Sequence, residues 1–232
     1  MSSNHLKRLA MPRSWPLPRK TSVWVTRPTP GAHALELCMP ITLVIRDVLG
    51  LAKTAREVRF ILHNELAMID GRVVKDTRRG VGLMDVLTLG EDNYRCVLDH
   101  NGRLQYRPIG ADEASWKVCR IEGKTTIKGG RTQLNLHDGR NIIVDDPSEY
   151  NTGDSLKLNL PDQKILEHIR FGEGTRCYLM GGAHVGSTAD VKEYIVKRSS
   201  MPNEVLFDGF GTVARNVFAI GDASMPLTEV AE

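Results

Sequence analysis

No apolar run in this sequence approaches the roughly 18 residues that a membrane-spanning helix needs. The opening MSSNHLKRLAMPRSW has no apolar core of the secretory kind. A cytoplasmic protein is the expectation. Cysteine is sparse: Cys38, Cys96, Cys119 and Cys177 lie far apart, with no C-x-x-C pair and no histidine nearby at zinc-ligand spacing. That spacing argues against a disulfide framework and a metal site, and predicts reduced, buried thiols that act as small hydrophobes. Acidic residues are missing altogether from the first 35 positions, which carry Lys7, Arg8, Arg13, Arg19, Lys20 and Arg27.

The usual nucleotide fingerprints are also absent. In CYLMGGAHVGSTADV (177–191), Gly181, Gly186 and Thr188 match a phosphate loop, but Ser187 stands where the lysine should be. Without that lysine nothing reaches the β- and γ-phosphates, and no convincing helix follows to hold the anion. The G-x-G-x-x-G spacing does not occur. GRLQ at 102–105 resembles the G-R-L-D of pseudouridine synthases, but Gln105 cannot act as nucleophile or base. RNVFAIGDA at 215–223 looks like a flavin-contacting segment of the pyridine-nucleotide oxidoreductases, where Asp222 would meet a ribityl hydroxyl; the N-terminal glycine fingerprint such enzymes require is missing. The seven histidines are scattered and assemble no Ser/His/Asp or Cys/His set. Neither an enzyme nor a cofactor is expected.

What the chain does contain is 232 residues, 41% hydrophobic and 25% charged, the composition of a folded protein of two or three small domains. Its net charge of +3 hides an asymmetry. Up to residue 80 there are 14 Lys/Arg against 6 Asp/Glu; beyond it there are 17 against 22. A basic third on a mildly acidic body suits a protein whose one end faces a polyanion.

Pro12, Pro16, Pro18, Pro28 and Pro30 forbid a long helix in the first segment and predict an extended arm. Trp15 and Trp24, interleaved with its basic residues, are expected to pack on the body or on a partner. Pro40 then opens PITLVIRDVLG, where Ile41, Val44, Ile45 and Val48 recur at helical spacing before Gly50. Thr54-x-x-Glu57 predicts a capping box for a second helix, with Val58, Ile61 and Leu62 on one face and Arg56, Arg59 and His63 on the other. Asp70-Gly71 signals a hairpin, and GLMDVLTL (82–89) reads as a strand. From residue 93 onward, turn signals at Asn101-Gly102, Gly129-Gly130, Asp138-Gly139 and Pro161-Asp162 separate short strands, as in small barrels or sandwiches.

Together these pieces resemble one family over nearly the whole chain. The two short helices followed by I-D-G-R-V-V and G-L-M-D-V-L resemble the S-four RNA-binding domain. C-Y-L-M-G-G-A-H-V-G-S-T-A-D-V-K-E-Y resembles a KOW motif. With H-L-K-R-L-A-M-P-R-S-W at His5–Trp15 and the closing N-V-F-A-I-G, the order is similar to the small-subunit ribosomal protein S-four-e family of archaea and eukaryotes. An end at Glu232 without a long basic tail looks like the archaeal form.

The resemblance implies a mixed, mainly β fold: an extended basic arm (1–39), an S-four-type RNA-binding domain (40–105), a β-rich central domain (106–170) and an SH3-like KOW barrel (171–232). It implies a structural constituent of the small ribosomal subunit, located in the ribosome, with small-subunit ribosomal RNA and neighbouring ribosomal proteins as partners. No catalytic residue, cofactor, metal, membrane or small-molecule substrate is implied. The expected RNA contacts are Lys7, Arg8, Arg13, Arg19 and Lys20 of the arm, then Arg46, Lys53, Arg56, Arg59, Arg72, Lys75, Arg78 and Arg79. Gly181, Gly182, His184 and Gly186 form the expected KOW loop, whose glycines allow positive φ or close approach. Two other readings stay open: an RNA-modifying or tRNA-handling enzyme carrying an S-four domain, and a KOW-type transcription-elongation module.

Overall fold

The structure, a computed structural model, describes residues 4–221. The fold is mixed and mainly β. It divides into two compact units, one built from residues up to Asp99 with Arg103–Lys117, the other from Val118 onward with His100–Gly102.

In the first unit the arm is extended, as its prolines require, and it is folded back. Near its start the two-residue strand Leu6–Lys7 pairs with Trp24–Val25. Arg8 holds this loop shut: its amide donates to Val23 O, its Nε to Pro18 O at 2.5 Å and its Nη1 to Ser22 Oγ. Trp15 is 2% exposed and donates from Nε1 to Cys38 O at 2.8 Å. Trp24 is 55% exposed, and its ring meets that of His5 with centroids 5.6 Å apart. Further along, Arg78 Nε donates to Arg27 O, and Thr29 Oγ1 to Asp76.

The segment after Pro40 is helical but not as a regular amphipathic helix. One α turn, Ile41–Leu43, runs into a π turn, Val44–Val48, in which Leu49 N reaches back five residues to Val44 O. Ile41, Thr42, Leu43, Val44 and Ile45 are all buried. Even Thr42 turns inward, its Oγ1 donating to Thr77 O at 2.6 Å, so these five residues are core on all faces. Gly50 ends it at φ +68°.

Ala55–His63 is the second helix, and the predicted capping box forms: Thr54 Oγ1 accepts from Glu57 N, and Glu57 reaches the Thr54 backbone amide. A five-stranded sheet follows in the order Arg72–Val73, Ala67–Ile69, Val86–Leu89, Asp92–Leu98, Leu104–Ile109, with neighbouring strands antiparallel. Asp70 and Gly71 take φ of +51° and +73°, the left-handed pair a tight hairpin needs. GLMDVLTL is not one strand. Gly80–Gly82 pairs with Cys38–Pro40, Asp85 N bonds Gly82 O across a turn with Met84 at φ +67°, and only Val86–Leu89 continues as sheet. The cause is Asp85, whose buried carboxylate accepts the Gly82 amide and fixes the turn.

The second unit is β-rich. A five-stranded sheet has the order Asn141–Val144, Thr132–Leu136, Trp116–Thr126, Ser155–Asn159, Ile165–Ile169. Its hairpins turn at Gly129-Gly130, Asp138-Gly139 and Pro161-Asp162, the positions expected from the sequence. Alternation along these strands puts Cys119, Ile121, Leu134, Leu136, Leu156 and Leu158 into one core. Two three-stranded sheets complete it: Arg176–Leu179 between Thr188–Asp190 and Val217–Ala219, and Glu204–Leu206 between Glu193–Ile195 and Gly211–Val213. Asp222 lies outside the described residues.

Candidate nucleic-acid interface

The geometry of the basic surface starts from the Ala55–His63 helix. Val58 and Leu62 are buried and Ile61 is half-buried, so the core fixes which way the helix faces. Arg56, Arg59 and His63 are then exposed on the other side. Neither arginine makes an ion pair or hydrogen bond among the described residues. Glu57, the helix's one acid, is spent on the cap. The Lys53 amide donates to it at 2.7 Å, and that bond, with Thr54, holds its carboxyl below the usual range. The two guanidinium groups therefore have their donors available to an outside anion.

The other predicted cations differ in how free they are. Lys7, Arg13, Lys20, Lys53, Arg72 and Arg79 are exposed. Lys75 is exposed but pairs with Glu65 at 2.7 Å. Arg46 forks onto its neighbour Asp47 at 2.9 and 2.8 Å, which raises its pKa. Arg19 donates to Leu9 O, and Arg78 is occupied by Arg27 O. Arg8 is buried at 9% exposure and serves the arm's own fold. The sequence pattern could not separate these groups, since each looks alike as a basic residue in a basic stretch.

The same unit holds a buried charge network that the sequence pattern does not reveal. Lys117 Nζ lies 3.0 Å from Asp70 Oδ2 and 2.5 Å from Asp85 Oδ1, and His33 Nε2 lies 2.9 Å from the same Asp85 oxygen. Burial alone would raise the Asp85 pKa, but His33 and Lys117 outweigh it and hold the carboxyl well below the ordinary carboxylate range. Asp70 Oδ1 also accepts from Val86 N. The network joins the arm through His33, the hairpin through Asp70, the Gly82–Asp85 turn and Lys117. It is therefore structural, and it fixes the scaffold on which the basic residues stand.

The glycine loop has a similar internal logic. Gly186 is buried at φ +82°, with its amide on Leu179 O. At Gly181 a Cβ would meet Asn216 Oδ1 at 3.1 Å, so the close approach the glycines allow is to the chain itself. Gly182 is exposed. Ser187, at the lysine position of a phosphate loop, turns back on the loop and donates from Oγ to His184 O at 2.6 Å. His184 is exposed and stacks on Phe210 with ring centroids 4.1 Å apart.

The four cysteines are buried, as expected, and none is in a disulfide. Burial raises the Cys38 thiol to about 11 and the Cys177 thiol to about 12. One feature was invisible to spacing. Cys119, His137 and Asp138 bring three ligand-type atoms within 4.8 Å of one another. Each is already engaged: Cys119 Sγ donates to Asp138, Asp138 pairs with Arg140 at 3.1 Å, and His137 Nδ1 accepts the Arg120 amide. Gln105, in the failed synthase motif, sits on the Leu104–Ile109 strand and accepts from Arg107 Nε.

Comparison with known proteins adds an independent line. The model of "Ribosomal family S4e" matches residues 90–165, and that of the "RS4NT (NUC023) domain" matches residues 2–36. The small ribosomal subunit protein eS4 of Methanosphaera stadtmanae is 44% identical over 226 residues, covering 95% of this chain and 93% of the relative. The eS4 protein of Methanocaldococcus jannaschii is 43% identical over 232 residues, covering 94% of each. Among solved structures, the 30S ribosomal protein S4e of Thermoplasma acidophilum matches with a TM-score of 0.72 at 34% identity, covering 81% of this chain and 96% of that one.

Proposed function

Since the chain belongs to the ribosomal S4e family, we propose that it binds small-subunit ribosomal RNA through the exposed cations of its arm and capped helix. It is a structural constituent of the small ribosomal subunit and works in the cytoplasmic ribosome in support of translation. The observation that carries the RNA reading is the face of Arg56 and Arg59: two exposed guanidiniums on a rigid helix, with the helix's only acid turned into its cap.

Lys7, Arg13, Lys20, Lys53, Arg72 and Arg79 extend that surface in our reading, because each is exposed and offers its donors outward. Lys75 and Arg46 contribute if they exchange an exposed ion pair for phosphate, a change of small cost since such pairs are worth about 0–1 kcal/mol. Arg8, Arg19 and Arg78 act mainly by shaping the arm. We further assign residues 40–105 as the S-four-type module and 171–232 as the KOW segment, whose exposed Gly182 and His184 face a neighbour in the particle. In this reading the protein acts by binding, with neighbouring ribosomal proteins as further contacts.

Sedimentation of lysate on sucrose gradients, probed for this chain at low and high salt, tests the proposal. Stoichiometric migration with small subunits supports it. Recovery only among free proteins at low salt overturns it.

A further inference from the structure

The helix that carries Arg56 and Arg59 also carries a side chain that phosphate binding does not use. Phe60 is 67% exposed, and its ring is in no aromatic contact among the described residues. At 100° per residue, Arg59, His63, Arg56 and Phe60 fall within an arc of about 100°. Phe60 stands four residues after Arg56 and three before His63, the spacings at which helical side chains are neighbours. Single exposed apolar residues are ordinary. This one borders the basic stripe directly, with no acid on the stripe.

We infer that Phe60 is a stacking platform for an unpaired base, with Arg56 and Arg59 gripping the phosphates beside it. The inference rests on the RNA-binding reading above and adds to it the kind of RNA recognised. A perfect duplex offers phosphates to the arginines but keeps its base faces stacked inside, leaving the phenyl ring no ligand. A bulged, looped or single-stranded nucleotide offers both the anion and the flat apolar face. Charge complementarity favours this occupant over an apolar protein surface, which would leave both guanidiniums desolvated without a counter-charge.

The test uses the full chain and two probes at low salt: a 12-nucleotide oligouridylate with one central 2-aminopurine, and a 12-base-pair RNA duplex. The wild-type protein should quench the 2-aminopurine on binding. Phe60→Leu should abolish the quench and weaken single-strand binding by about five- to a hundredfold, the range of one base–aromatic stack. It should leave duplex binding within about twofold, and Phe60→Trp should restore the quench. Single-strand binding by Phe60→Leu equal to wild type overturns the inference and leaves the face to a protein neighbour; equal weakening on both probes overturns it too, because the ring then gives no preference for an unpaired base. Arg56→Gln with Arg59→Gln separates the two readings. If that variant binds both probes like wild type, the RNA role of the helix fails and the platform with it. If it weakens both while Phe60→Leu is silent, the platform alone fails.

Discussion

Lys117 Nζ lies 2.5 Å from Asp85 Oδ1, the lysine side chain fully buried and the aspartate 4% exposed. This pair is the centre of a network that also takes in Asp70 and His33, so one lysine links the sheet hairpin to the turn that the arm packs on. Burying the charges costs several kcal/mol per ion before their attraction returns it. The pair therefore need not add net stability, yet removing the lysine leaves buried carboxylates short of counter-charge.

Lys117→Met removes the buried cation that two buried carboxylates share. A loss of about 3–5 kcal/mol in unfolding free energy is expected, measured by urea titration of the full chain. A change below about 1 kcal/mol would show that the carboxylates protonate or rehydrate instead.

The same network sets an acid limit. The folded Asp85 pKa is depressed by His33 and Lys117, so its contribution is fully present above the unfolded carboxylate range of about 4 and is lost as pH falls below it. Unfolding free energy measured between pH 6 and pH 3 should fall toward acid. Asp85→Asn should flatten that fall while lowering stability at neutral pH. An unchanged slope in the variant would place the acid sensitivity in other carboxylates.

Reversing Arg56 and Arg59 to glutamate should cut small-subunit ribosomal RNA affinity in filter binding. Thermal stability should stay within about 0.5 kcal/mol of wild type, because both side chains are exposed. The slope of log affinity against log salt should flatten by about 0.7–0.9 for each phosphate no longer neutralised. RNA affinity and slope equal to wild type would remove the helix face from the interface.

The thiols offer a check on the core. With Cys38 raised to about 11 and Cys177 to about 12 by burial, and all four cysteines buried, little thiolate is available at pH 8. Ellman's reagent should label less than about one thiol in the native protein and all four after guanidinium unfolding. Rapid native labelling would contradict the packing around these residues.

Much of the local structure is legible in the sequence because its causes are local. The Thr54–Glu57 box needs only residues three apart, and the Asp70-Gly71 hairpin needs only a pair tolerant of positive φ. Both form as the sequence predicts, as do the turns of the second unit. The helix after Pro40 departs from the expected geometry, since periodicity marks apolar positions but does not show that a run of residues is buried on every side. GLMDVLTL suggests one strand because an aspartate among apolar residues looks like the polar face of a strand; here Asp85 is buried along with Leu83, Met84 and Val86 around it.

The β-rich class, the helix cap, the extended proline arm and the excess of positive charge at one end are written locally along the chain. These follow from backbone preferences and residue counts, which act over a few positions. Which cations are free is settled by packing between distant segments. Arg8, Arg46 and Arg56 are the same residue type in the same basic third, but one is buried in the arm, one is forked onto Asp47, and one is exposed with its donors open. It alone brought His33, Asp70, Asp85 and Lys117 together, and it alone left Phe60 facing outward beside the arginines. Availability and burial depend on neighbours distant in the chain, and no local pattern records who those neighbours are.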